Sequence, residues 1–181
     1  MLKLPNLSKA LVAGLLCAIA GASAYAAERI SDFSLVDADG RFFQLSRHSN
    51  QDAVVLLAYD ANSRDARRAI SDLREIAEQF ADQAVAIAIM DVTGSTDKVA
   101  MREEATDEDI PFRILMDETQ LVTAELGITL AAEVVVIDPE AREVIYRGAL
   151  SSRYADGSRS ERRAGSYLSE ALTAIVSGTE P

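Results

Sequence analysis

Residues 53–59, AVVLLAY, run through Asp60 into ANSR (61–64) and then DARRAISDLREIAEQF (65–80), and this stretch decides the fold. An unbroken apolar run rich in Val and Leu reads as a strand buried on both faces. After the turn, Ala66, Ile70, Leu73, Ala77 and Phe80 fall at spacings of four, three, four and three, the apolar stripe of an amphipathic helix. Arg67, Arg68, Asp72 and Arg74 lie off that stripe. Asn62 reads as the N-cap, with Asp65 three residues on to complement the first-turn amides and the helix dipole. A buried strand feeding a helix through a tight turn is where open α/β folds place their chemistry. Here the turn carries no obvious chemistry.

Working outward, residues 84–90 (AVAIAIM) predict a second fully buried strand closed by Asp91. Ser95 or Thr96 would cap a short helix running through Met101 to about Ala105. A short strand over 110–116 follows, then a helix capped at Asp117 or Thr119 and stopped at Gly127. Residues 133–137 and 143–146 form two strands around the turn DPEAR, and 167–176 a final amphipathic helix. Upstream, 33–36 and 41–45 flank Asp37-Ala38-Asp39-Gly40 and predict a β-hairpin. Two β-α-β crossovers imply parallel neighbours, whereas the last hairpin implies an antiparallel edge, so the central sheet is mixed. An α/β chain with helices on both faces of such a sheet and an extra N-terminal β-hairpin has the thioredoxin-like architecture.

Composition sets the compartment. Lys3 and Lys9 precede an apolar run over 10–20, and small residues lead to Ala24-Tyr25-Ala26, the pattern of a signal peptide cleaved after Ala26. The run is shorter than the roughly 20 residues of a membrane span. Cys17 sits inside it instead of at its small-residue end, which argues against a lipoprotein. Residues 1–26 are therefore expected to leave, and 27–181 to form one soluble periplasmic or otherwise exported domain without stable membrane insertion. Losing two lysines and no acid takes the formal charge from −11 to −13. That balance argues against nucleic acid, whose phosphates demand a basic footprint. It permits a basic partner, though acidity by itself chiefly confers solubility. Cys17, the only cysteine, leaves with the signal. A chain without cysteine can neither form disulfides nor do thiol chemistry nor ligate metal through sulfur.

The remaining polar clusters read as structure. Asp37 and Asp39 lack the rest of a calcium loop, and His48, the single histidine, reads as a solvated loop residue without a second ligand beside it. Glu103, Glu104, Asp107, Glu108 and Asp109 read as a solvated helix end. No metal and no cofactor is expected. A basic loop carrying Arg153, Arg159, Arg162 and Arg163 leads to the last helix.

From about residue 33 to 176 the chain resembles the exported thioredoxin-like redoxins of the alkyl hydroperoxide reductase and thiol-specific antioxidant (peroxiredoxin-like) superfamily. The words that carry the resemblance are Pro111-Phe112, Met116-Asp117-Glu118-Thr119-Gln120, Gly127-Ile128-Thr129, Val136-Ile137-Asp138 and Tyr146-Arg147-Gly148. The resemblance implies a Cys-Asn-x-Cys-Pro-like motif on Ala61-Asn62-Ser63-Arg64-Asp65, of which only the asparagine is present. It also implies a cis-proline where this chain has Ala132, in Leu130-Ala131-Ala132-Glu133. A cis bond before a non-proline residue costs about 2.5–4 kcal/mol, so Ala132 is expected to follow a trans bond in a reshaped loop.

Peroxide or disulfide attack needs a thiolate, which neither Asn62 nor Ser63 replaces without a base. A Ser63–His48 hydrolase would further need an orienting acid and an oxyanion hole. Arg64 opposes the helix dipole; it either meets an anion there or pairs with Asp60 or Asp65. The expectation is a non-catalytic envelope protein that binds or helps assemble another exported protein through a surface around Asn62, Ser63, Arg64 and Glu133. The alternatives are a family-type thiol-disulfide oxidoreductase or peroxidase, and a small-molecule or metal carrier supported only by the acidic residues.

Overall fold

The computed structural model describes residues 28–154 and 166–179. The expected signal segment, with Cys17 and the Ala26 cleavage point, lies outside these residues, as do Arg159, Arg162 and Arg163. In chain order the elements are β1 (Glu28–Arg29), β2 (Ser34–Asp37), β3 (Phe42–Gln44), β4 (Ala53–Tyr59), α1 (Arg64–Gln79), β5 (Val85–Asp91), α2 (Lys98–Asp107), β6 (Arg113–Met116), α3 (Leu121–Glu125), β7 (Glu133–Asp138), β8 (Glu143–Ala149) and α4 (Tyr167–Val176). The strands form one sheet in the order β1-β8-β7-β4-β5-β6-β2-β3. The β4–β5 and β5–β6 pairs are parallel and the others antiparallel, the expected mixed sheet.

All seven residues of β4 are buried, because the strand lies between β5 and β7 and is covered on both faces. Side chains alternate across a strand. Val55, Leu57 and Tyr59 meet Ala66, Ile70 and Leu73 of α1 and Leu168 and Leu172 of α4. Val54, Leu56 and Ala58 face the second core, with Phe33, Leu45, Leu126 and Ile137. Helices thus lie on both faces, with α3 contributing Val122 to the second core. The α1 stripe is wider than predicted: Ala69 and Ile76 are buried as well, while Ala77 is half-buried.

The second strand departs from its predicted full burial. Val85, Ala86 and Ile87 are half-buried, because β6 pairs with β5 only from Ala88 onward. The predicted caps shift too. The α2 cap is Asp97, whose Oδ1 accepts from the Val99 and Ala100 amides at 3.0 Å, in place of Ser95 or Thr96. Gln120, at φ +55°, holds the α3 cap position without a side-chain bond to the helix amides. Asp117 does the capping from outside, its Oδ2 accepting the Thr123 N–H and hydroxyl at 2.7 Å. Gly127 ends α3 at φ +62°, where a side chain would also meet the Arg147 guanidinium. The pairing of β1 with Val144 and Glu143 on β8 was not foreseen, since two residues carry no readable period.

The predicted hairpin forms, but Asp37 does more than make its turn. It is 1% exposed, and its Oδ2 accepts from Arg41 Nε at 3.0 Å and Arg113 Nε at 2.8 Å. His48 is not a solvated loop residue: its ring stacks on Phe43 with centroids 4.8 Å apart, and Phe43 stacks on Phe33. Burial, aided by the Arg113 charge, holds the imidazole below its ordinary pKa and therefore neutral.

Candidate functional site

The turn between β4 and α1 is organised by Asp60, the residue on which the buried strand ends. Its Oδ1 accepts the Asn62 amide at 2.8 Å and the Asn62 side-chain amide at 3.2 Å, and its carbonyl accepts the Ser63 N–H at 2.9 Å. Asn62 is thereby drawn back onto Asp60 and cannot cap α1. The cap is Ser63, whose Oγ accepts the Ala66 N–H at 3.2 Å. Replacing Ser63 by alanine should cost about 1 kcal/mol, whereas Asn62→Ala, on an exposed turn, should cost less than half of that. Urea unfolding of the two variants checks the assignment, and equal losses would reverse it.

With its oxygen committed to the cap, Ser63 is not set up as a nucleophile. Among the described residues no hydrogen bond joins it to His48, so the hydrolase pair is not assembled. Ala61 is half-buried against the core under α1. Arg64 is exposed and pairs with neither Asp60 nor Asp65; Asp65 instead lies 4.0 Å from Arg68, an exposed i,i+3 pair.

Opposite the turn, Ala132 is 3% exposed and sits at φ +69°, and none of the described peptide bonds is cis. Its N–H donates to the Ala58 carbonyl at 2.8 Å, a bond that a proline there could not make. Glu133, expected at the contact surface, is spent inside the loop: its Oε2 accepts the Thr129 amide at 3.0 Å and the Leu130 amide at 3.4 Å.

Between turn and loop runs an open groove of ≈ 570 Å³, walled by Asp60 and Asn62, by Val92 and Thr93 after β5, and by Thr129 and Leu130. Among the described residues Asp60 is the only charged side chain lining it. Gln120 props one wall, donating to the Val92 carbonyl at 2.7 Å. Behind it lies Asp91, fully buried, whose carboxylate accepts from Thr93 Oγ1 at 2.8 Å and the Ser95 amide at 3.1 Å. Burial pushes its pKa above the carboxylate range against those bonds, and the nearby Asp60 charge pushes the same way. Tyr59 donates its hydroxyl to Glu104 Oε1; burial and that acceptor keep the phenol protonated.

Sequence reading related the turn to the Ala132 loop only through the family resemblance; in the structure Asn62 and Ala131 line one groove. It missed Asp60, Thr93, Gln120 and Leu130, which lie far apart in sequence and meet only because three strand ends adjoin. Asp60 and Asp91, each closing a buried strand, were the available signal. The described residues contain no thiol, and no three His, Cys, Asp or Glu side chains among them are placed to hold a metal.

The arrangement is that of a thioredoxin-like fold, and solved structures agree. A hypothetical protein of Sinorhizobium meliloti 1021 superposes with a TM-score of 0.66 at 22% identity, covering 85% of each chain. Peroxidoxin BcpB of Mycobacterium tuberculosis gives 0.57 at 22%, covering 68% of this chain and 84% of its own. The thioredoxin domain of a thiol-disulfide oxidoreductase of Bacteroides vulgatus gives 0.62 at 13%, covering 83% and 98%. No curated protein matches the sequence. Residues 26–147 match the AhpC/TSA family, and the chain belongs to that family.

Proposed function

We propose that this redoxin is a non-catalytic member of its family, an accessory module that binds or helps assemble another exported protein. In this reading Ala61 and Arg64 stand where the family's two cysteines stand, and Ala132 where its cis-proline stands. The observation that carries it is a complete core around a turn with no sulfur, in which the Ser63 hydroxyl and the Ala132 amide are both spent on internal hydrogen bonds. Export to the periplasm rests on the charged and apolar pattern of the first 26 residues. Among the described residues no helix is long and apolar enough to cross a membrane.

Family membership favours a second reading, a peroxidase or thiol-disulfide oxidoreductase, and chemistry weighs against it. Apart from Met1 and Cys17, the sulfur atoms of the chain are those of Met90, Met101 and Met116, which are 0%, 6% and 3% exposed. Peroxide therefore finds no reachable sulfur in the folded domain. One experiment separates the readings. Tagged protein cross-linked in its native envelope should capture one specific partner, and the purified protein should turn over neither hydrogen peroxide nor insulin disulfides. Measurable turnover would install the enzyme reading, and a protein that captures nothing would remove the accessory one.

A further inference from the structure

The accessory reading names no surface chemistry, but the groove beside Asp60 supplies one. Leu121 and Leu130 are the most exposed large apolar side chains among the described residues, at 70% and 69%. Single exposed leucines are ordinary. Leu130 lines the groove, and Leu121, though not itself a lining residue, is the chain neighbour of Gln120, which lines it. Val92 and Ile128 add apolar lining.

The charge of the groove is one-sided. Asp60 Oδ1 takes both Asn62 bonds, and among the described residues no hydrogen bond reaches its Oδ2. Among the described residues that line the groove none is a cation. Arg64 stands outside, on the first turn of α1. The whole chain carries −11, so the long-range field has the same sign as the groove.

Backbone pairing is largely closed to a visitor. The Thr129 and Leu130 amides are held by Glu133, and the Ala132 amide by the Ala58 carbonyl. A chain laid here would be recognised through side chains instead of by adding a strand.

We propose, resting on the accessory-module reading, that this groove receives an extended partner segment in which a lysine or arginine is flanked by aliphatic residues. The cation meets Asp60 Oδ2, and the aliphatic side chains cover Leu130 and Leu121. Burying those leucines supplies the affinity, and the single carboxylate sets the sign of the charge that is admitted.

The test titrates the 15N-labelled protein with the peptide Ac-Gly-Leu-Lys-Leu-Gly-NH2 and with its counterpart carrying Glu in place of Lys. The lysine peptide should shift the amides of Val92, Thr93, Thr129 and Leu130, and added salt should weaken it. Asp60→Asn, which keeps an oxygen for Asn62, should weaken binding about three- to tenfold, with a comparable loss for Leu130→Ser. Both variants should retain the amide spectrum elsewhere. The groove assignment is overturned by absence of those shifts at about 10 mM lysine peptide, by equal binding of the glutamate peptide, or by indifference to both substitutions. A partner captured from the envelope and held equally well by both variants also overturns it, while leaving the accessory role standing. Peptide binding in the groove without any captured partner keeps the groove and removes the role.

Discussion

An Asp37→Ala variant is expected to lose about 2–4 kcal/mol of stability at neutral pH, a large share of the roughly 5–15 kcal/mol that holds a domain of this size. Asp37 is nearly inaccessible, and its carboxylate ties three parts of the chain together. Its Oδ1 accepts the Asp39 and Arg41 amides, and its Oδ2 accepts from Arg41 and from Arg113 on β6. The loss sits toward the lower end of the range because the partners are not buried with it: Arg41 is 60% exposed and Arg113 32%, so water takes up part of their charge. Burial pushes the Asp37 pKa up, but the hydrogen bonds from Arg113 and Arg41 outweigh it and hold the carboxyl below its ordinary range. The folded state therefore binds the proton less readily than the unfolded one. The contribution is complete above the unfolded value, about 3.9, and is lost as pH falls below it through the folded value. Urea unfolding at pH 7 and in that acid window should show the variant and the parent converging as the carboxyl protonates. A loss under 1 kcal/mol at neutral pH, or a gap that widens in acid, would contradict this account.

Ala132→Pro should cost about 3 kcal/mol or more, although it writes back the residue the family resemblance places there. The native φ of +69° lies far from the −65° that the proline ring imposes, and the bond from the Ala132 amide to the Ala58 carbonyl disappears. Ala132→Gly is the control. It keeps the amide and accepts the positive φ, but gives up a buried methyl group and gains unfolded-state freedom, so its net change should stay within about 1 kcal/mol. Thermal unfolding of the pair reads the difference directly. A proline variant as stable as the parent would mean that the loop can also take the arrangement that the family resemblance implies, and would contradict this account.

Much of this molecule is legible in its residues because the signals are local. An unbroken apolar run marks β4, a 3.6-residue period marks α1, and the apolar pattern of 167–176 marks α4 at its observed limits. Cap positions were harder, because several polar residues in a row can each accept the same amides. Ser63 rather than Asn62 caps α1 once Asp60 has claimed Asn62, and Asp97 rather than Ser95 caps α2 because the Ser95 Oγ accepts the Asp97 N–H instead of a helix amide. His48 looked solvated because nothing near it in sequence is aromatic except the Phe42-Phe43 pair, and only the folded hairpin brings Phe43 against it.

The sequence by itself determined the thioredoxin-like fold and the lack of any cysteine beyond Cys17, since burial patterns follow from residue order and composition does not depend on conformation. Tertiary structure alone decided how the turn's polar groups are used. Asp37 meets Arg113 across 76 positions, and Asp60 lines the same groove as Thr129 and Leu130, juxtapositions that no local pattern encodes. Ser63 and Glu133 are spent on bonds within their own loops and the Ala132 amide on the Ala58 carbonyl, while Leu121 and Leu130 stay exposed and no described hydrogen bond reaches Asp60 Oδ2, because a hydrogen-bonding group that one neighbour has satisfied is no longer offered to another.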